Sequence, residues 1–320
     1  MNSRFSFRRT YSSLVSGAGL AALQRWRERR RVAILTYHDI AAPVFAAHLE
    51  FVARAYHIIP LSEAVAGLQG KSTLPERPLA LTFDDGFRSF YSNVFPALQR
   101  AQAPATVFLT TGFVGSSDIL WFSWLDLAFK TNAQIGDLLP RPLQGMEKPE
   151  LRRALTPYLK RAPDEERLHI VHEIRQRVTA SDDQISRYRL LRWDEVREMQ
   201  ASGLVAFGGH TLTHPILARA SLDKARHEIT GCAADLEREL GRQTRHFAYP
   251  NGELADFNEQ IKEMVRQAGF ASAVSASRGT CAAGDDLYAL RRIGVDGSFS
   301  VAELDAKLSG LWVHLGRGGM

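Results

Sequence analysis

Two short stretches put groups capable of metal and acid–base chemistry where strands are expected to end. In Thr82-Phe-Asp-Asp-Gly86 an apolar run leads straight into two adjacent carboxylates and a glycine. Neighbouring side chains at a strand end point in different directions. Asp84 and Asp85 can therefore hold different jobs, one binding a cation while the other stays free as a base. Alone, the stretch reads more readily as a helix N-cap or an Asp-Gly turn. In His210-Thr-Leu-Thr-His214 two histidines stand at i and i+4, the spacing that sets both on one helix face and lets them converge on one ion. Gly208-Gly209 precede them and permit a close backbone approach after a strand. The bland alternative is two solvent-facing histidines capping a helix. One Asp with two His makes a three-ligand set with room for water, the form of a catalytic rather than a structural metal centre. A cation there acidifies water and polarises a carbonyl oxygen, and a neighbouring carboxylate can take the proton.

A third stretch, Phe247-Ala-Tyr-Pro-Asn-Gly252, places a turn after a strand. The backbone N–H of Asn251 can meet a developing oxyanion there, and Tyr249 can stack on a sugar. By itself it would be an ordinary Pro-Asn-Gly turn. His38, in Leu35-Thr-Tyr-His-Asp39, follows an apolar run and is expected on the same face as the other groups. An ordinary imidazole pKa of about 6.5 suits protonation of a leaving amine near neutral pH, so His38 is the expected general acid, with packing at the barrel mouth as the alternative. His48 and His57 are weaker rivals, in helical or mid-loop contexts. Trp121, Phe122 and Trp124 read either as a sugar platform, with Trp121 as its lead residue, or as the core of a local helical unit.

The elements that must position these groups follow from the pattern. The 320 residues, 45% hydrophobic, are enough for one sizeable core. Apolar runs at Val32–Tyr37, His57–Leu61, Pro78–Phe83, Ala105–Thr110, Leu204–Phe207, His246–Tyr249 and Ala271–Val274 lack alternation, which suits strands covered on both faces. Helices fall between them. Behind the N-cap Ser221, Ala225, Ile229, Cys232, Leu236 and Leu240 form one stripe that ends at Gly241. Trp193, Val196 and Met199 mark another helix, which stops near Gly203. Repeated β-then-α units imply an α/β fold with a parallel sheet, closed into a barrel at about seven units. From about Ser116 to Tyr188 no strand is expected. That segment reads as a helical insertion ending in a helix from Glu165 to Val178, with Leu168, Val171, Ile174 and Val178 on one face. The expected division is a basic leader over 1–31, a main domain over 32–300 with the insertion at about 116–188, and a C-terminal helix and tail over 301–320.

These motifs, in this order, resemble the polysaccharide deacetylase family, also called the NodB-homology family or carbohydrate esterase family 4. The resemblance runs from about Ile34 to Val295 and rests chiefly on Thr82-Phe-Asp-Asp-Gly86 and His210-Thr211-Leu212-Thr213-His214. It implies a distorted (β/α)7 barrel, an Asp-His-His site for a divalent metal, most often Zn2+, and metal-assisted removal of N-acetyl groups from amino sugars. It implies Asp84 as the base, and Asp85, His210 and His214 as metal ligands. Where the family's third motif usually carries an arginine that holds the base, Ala248 stands here, and Arg292 in Leu290-Arg-Arg-Ile293 is the candidate replacement, with a surface charge as the alternative. The family's late histidine in a Leu-x-x-His setting is not convincingly matched by His314. The early Tyr37-His38 resembles the exopolysaccharide and poly-N-acetylglucosamine deacetylase subgroup, whose order is circularly rearranged. Two other readings share these residues: a catalytically silent relative that binds glycan or metal, and a metallohydrolase acting on O-acetyl or other acyl groups.

The net charge of +5 is concentrated at the front, where Arg4, Arg8, Arg9, Arg25, Arg27, Arg29, Arg30 and Arg31 lie. With Leu14, Leu20, Leu23 and Trp26, this segment is expected to form an interfacial amphipathic helix on an anionic membrane surface; a solvated leader is the alternative. The run Leu14–Leu23 is diluted by Ser16, Gly17 and Gly19 and lacks a small-residue cleavage site, so a cytoplasmic protein peripheral to the inner membrane face is expected. Basic residues confined to one end, without an aromatic platform across the domain, lead us to expect no nucleic-acid partner. Cys232 and Cys281 make no disulfide framework.

Overall fold

The computed structural model describes residues 19–311. Parallel strands Ala33–Tyr37 (β1), His57–Ile58 (β2), Pro78–Phe83 (β3), Ala105–Leu109 (β4), Val205–Gly209 (β5), His246–Ala248 (β6), Ser272–Arg278 (β7) and Leu290–Gly294 (β8) form one sheet. β1 pairs with both β3 and β8, so seven of these strands close into a ring, as a distorted (β/α)7 barrel requires. The register Thr36↔Thr82 and Thr36↔Gly294 aligns β1 with its two neighbours.

Membership of the ring differs from the sequence expectation in one strand. The run beginning at His57 supplies only the two residues of β2, which lie outside the ring against β3. Its place is taken by β8, hidden from a hydropathy reading because Arg291 and Arg292 interrupt the apolar run. Those arginines obey strand alternation: Arg291 is exposed and Arg292 buried. Below Arg292 a buried cluster draws Ile34, Ala80, Phe108, Ala248, Val274 and Leu290 from six strands.

Between β4 and β5 the chain makes the expected helical insertion. Helices Trp121–Lys130, Lys148–Arg161 and Asp164–Arg177 enclose their own apolar cluster, including Trp124, Leu155 and Ile174. Leu168, expected on the buried face of the last of these, is exposed, and Ile170 and Arg167 take the inner positions beside Val171 and Ile174. The Leu222–Leu240 helix matches its pattern: the Ser221 hydroxyl accepts from the Lys224 amide, and Gly241 ends the helix at φ 66°.

Among the described residues before β1, the chain from Leu20 onward packs against the barrel. Helix Leu20–Arg27 buries Ala21, and Arg25 ion-pairs with Asp305 of the Val301–Leu308 helix. Arg31 donates from Nε to Thr280 Oγ1 at 2.7 Å. Leu20, Leu23 and Trp26 stay exposed on this helix. Leu14, the first arginines and His314 lie outside the described residues. No helix among the described residues is long and apolar enough to cross a membrane.

Candidate metal centre

Strand ends deliver most of the site, as parallel barrels do. β3 runs into Asp84 and Asp85, both buried. The Asp84 amide donates to Tyr37 O at 2.9 Å, continuing the β1–β3 ladder. Asp85 then turns left-handed, at φ 70°, and Gly86 follows at φ 82°. A Cβ on Gly86 would meet only the tip of the Leu109 side chain, at 2.6 Å, so the positive φ is the main reason for glycine there. This turn sends the two carboxylates to different partners.

Asp85 faces the histidines. Its Oδ1 lies 3.4 Å from His210 Nε2 and 3.3 Å from His214 Nε2. The potential ligand atoms of the three residues lie within 4.8 Å of one another. Neither Asp85 oxygen accepts a hydrogen bond from the described residues, although both are buried. A buried carboxylate without a donor is costly, and a cation among these three groups would satisfy it. Burial pushes the Asp85 carboxyl up, but the approach of His210 and His214 outweighs it and holds the group well below the usual range. Burial drives the imidazoles toward neutrality. For His210, Asp85 and Asp84 reverse that and raise its pKa, whereas His214 stays below its ordinary value. Carboxylate plus imidazole nitrogens is a donor set suited to Zn2+ and similar ions.

The two histidines do not share a helix face, contrary to the spacing argument. Residues 210–214 form a loop after β5, with Thr211 at φ 69° and His214 at φ 60°. The rings converge, their centroids 4.9 Å apart, because the loop folds back and not because of helical periodicity. His210 Nδ1 lies 2.7 Å from Ala248 O, so that nitrogen carries the proton and Nε2 is left for a metal. Glu228, on the Leu222–Leu240 helix, accepts from the Thr213 amide at 2.8 Å and from its hydroxyl. Glu228 was not singled out in the sequence; a carboxylate on the inner stripe of an otherwise apolar face was the available signal.

Asp84 faces Arg292. The guanidinium reaches it from β8 through two parallel bonds, Nη1 to Oδ1 and Nη2 to Oδ2, each 2.7 Å. Nη1 also donates to Thr36 Oγ1 at 3.0 Å, and Nε to Ser275 O at 2.8 Å. The surface-charge alternative for Arg292 fails on this burial. Burial pushes Asp84 up, the Arg292 charge and hydrogen bonds outweigh it, and the carboxyl lies below its ordinary value. Each Asp84 oxygen keeps a second lone pair for a further donor.

The remaining candidates divide. His38 is exposed at the end of β1, and its charge reaches both Asp84 and Asp85. His48 is instead buried and bonded to Phe299 O at 2.8 Å, and His57 lies against Glu76 O at 2.7 Å. Asn251 stands in the turn after β6 at φ 62°, its side chain donating to Asp256, while its backbone N–H has no acceptor among the described residues. Tyr249 cannot stack on a sugar: it is buried, lies flat on Phe257 at 4.0 Å, and donates to Tyr288 O at 2.9 Å. Trp121 is also buried, in the insertion's own apolar cluster. The aromatic group left partly exposed beside the site is Phe122, edge-on to His214 at 5.2 Å and near Phe87 at 6.4 Å.

The family model described as Polysaccharide deacetylase matches residues 71–273. A curated relative, poly-beta-1,6-N-acetyl-D-glucosamine N-deacetylase of Escherichia coli (strain K12), is 36% identical over 84 residues, 26% of this chain and 11% of the relative. The match thus spans about a tenth of that relative's length. Among solved structures, IcaB from Ammonifex degensii aligns at TM-score 0.60 and 20% identity, over 88% of this chain and 97% of its own. Streptococcus pyogenes deacetylase PplD, in complex with acetate, aligns at TM-score 0.59 and 19% identity, over 88% and 99%. At these identities the structural likeness carries the fold.

Proposed function

Because the chain belongs to the polysaccharide deacetylase family, hydrolases acting on acetylated polysaccharide, we propose that it is a divalent-metal-dependent N-deacetylase of amino-sugar glycans. The observation that carries this reading is the pair of buried Asp85 oxygens without a hydrogen-bond donor, facing two imidazole nitrogens. Asp85, His210 and His214 would hold the cation, most simply Zn2+. When bound it would polarise the acetamide carbonyl and acidify water.

The chain's own groups supply the rest. Asp84, kept ionised and fixed by Arg292, takes the proton of the water that adds to the carbonyl carbon. The Asn251 backbone N–H donates to the oxyanion as the carbon becomes tetrahedral. His38 protonates the sugar nitrogen as the carbon–nitrogen bond breaks, leaving acetate and a free amine. An amide needs that proton, since an amine anion is a very poor leaving group. Phe122 and Phe87 offer the apolar wall for the sugar that Tyr249 and Trp121 do not.

The curated relative's substrate, poly-β-1,6-N-acetylglucosamine, is the first glycan to try. The test is acetate release across a panel of N-acetylated and O-acetylated glycans. N-acetyl substrates should dominate; release from O-acetyl substrates alone would replace this reading with an esterase. Exposed Leu20, Leu23 and Trp26, beside Arg27 and Arg30, support a second proposal, that helix Leu20–Arg27 rests on the anionic inner face of a membrane.

A further inference from the structure

His214 is held in an unusual way for a metal-ligating histidine. Such residues ordinarily fix their ring by a hydrogen bond from the second ring nitrogen, as His210 does to Ala248 O. The second nitrogen of His214, Nδ1, is buried and has no partner among the described residues. The backbone is also unfavourable, with φ at 60° in a residue that precedes Pro215. A side chain in that region costs energy, and a following proline disfavours helical conformations further. Such a conformation persists only where surrounding contacts over-determine it.

Those contacts come from the helical insertion. Trp121 Nε1 donates to the His214 carbonyl at 3.2 Å, and Arg167 Nη1 donates to the same oxygen at 3.3 Å. The guanidinium lies over the Trp121 ring at 5.0 Å. Arg167 is 2% exposed and Trp121 6%. Asp164 anchors Arg167 from behind and is itself held by Lys224 of the Leu222–Leu240 helix. On the other side, the His214 amide donates to Thr211 Oγ1 at 3.0 Å.

We propose that Trp121 and Arg167 form a backbone clamp by which the insertion sets the position of the metal ligand His214, in place of the missing ring hydrogen bond. They are positioning residues, and the inference rests on Asp85, His210 and His214 being a metal site. The insertion is thereby part of the metal centre's construction and not a decoration on a loop. Loss of the clamp lets residues 214–215 relax toward extended backbone and swings the imidazole away from Asp85.

The test is Co2+ titration of metal-stripped protein, followed by the visible absorption of the bound ion and by competition with a chelator. Trp121→Phe keeps an aromatic ring at the position and deletes one donor, and should weaken Co2+ binding about 2–10-fold. Trp121→Phe with Arg167→Met, which leaves Asp164 paired with Lys224, should weaken it roughly 10–100-fold and alter the Co2+ spectrum. Ile174→Val, in the same apolar cluster as Trp121, lowers thermal stability while leaving both hydrogen bonds of the clamp in place, and should bind Co2+ as wild type does. Folded clamp variants with wild-type affinity and spectrum would overturn the clamp alone, as would Ile174→Val weakening binding as much as Trp121→Phe. Wild-type protein that takes up no Co2+ would overturn the metal-centre reading and the clamp with it.

Discussion

Replacing Arg292 by Met should destabilise the protein in a manner that reverses with pH. Arg292 and Asp84 are 2% and 4% exposed, so water does little to screen their charges. Removing one partner of such a pair costs about 3–5 kcal/mol, because the surviving charge stays in a poorly solvated site. In the wild type the Asp84 carboxyl lies below its ordinary value, so its contribution to stability is present above the unfolded carboxyl's range and is lost as pH falls. In Arg292→Met only the smaller contributions of His210 and His38 still oppose burial, and the carboxyl should move up. The penalty is then full at alkaline pH and relieved on acidification, when Asp84 can take a proton. The stability gap between wild type and variant should therefore be widest near pH 8 and narrow toward pH 5. Urea denaturation with chelator present reads this directly. Adding Asp84→Asn to the variant removes the stranded charge and should recover much of the loss, a non-additivity expected of contacting residues. A gap that is constant with pH, or that stays below about 1 kcal/mol near pH 8 as for a surface pair, would mean that Arg292 and Asp84 are not a buried, mutually dependent pair.

Three further outcomes follow from the site and the front helix. Asp84→Asn should retain metal yet lose turnover by about 10²–10⁴-fold in acetate release; loss of metal with retained rate would mean that Asp84 and Asp85 have exchanged roles. His38→Phe should slow N-acetyl hydrolysis on the order of 10²-fold while sparing an ester with a good leaving group, and equal loss on both substrates would make His38 a binding residue. Leu23→Asp with Trp26→Asp should abolish cosedimentation with anionic vesicles, and wild-type binding should weaken as salt rises; unchanged sedimentation would contradict membrane docking.

How far the sequence reached can be judged residue by residue. The place of Asp84 and Asp85 at a strand end was legible from the apolar run that leads into them, whereas their division into base and ligand came from the resemblance. The convergence of His210 and His214 was anticipated for the wrong geometric reason. Their i, i+4 spacing suggested a helix, whereas left-handed Thr211 and His214 fold a loop. Such conformations in non-glycine residues leave no mark in composition or periodicity. Arg292 was found as a replacement for a missing arginine, yet its strand was not, since two arginines erase the hydropathy of β8. Tyr249 and Trp121 illustrate a further limit. Aromatic residues near a motif look like ligand platforms until packing shows one against Phe257 and the other within the insertion's apolar cluster. Arg167 and Glu228 act on the His210–His214 loop through backbone groups, and contacts made across distant elements to a carbonyl or amide carry no local sequence pattern.

If Asp85, His210 and His214 hold a cation, deacetylation should depend on it. The most direct test is to strip the protein with chelator, return Zn2+ in steps, and measure bound metal and acetate release from poly-N-acetylglucosamine on the same samples. About one ion per chain is expected, with activity rising in proportion to it, and neither metal nor activity in His210→Ala/His214→Ala. Full metal occupancy in that double variant, or undiminished acetate release from metal-free wild type, would contradict it.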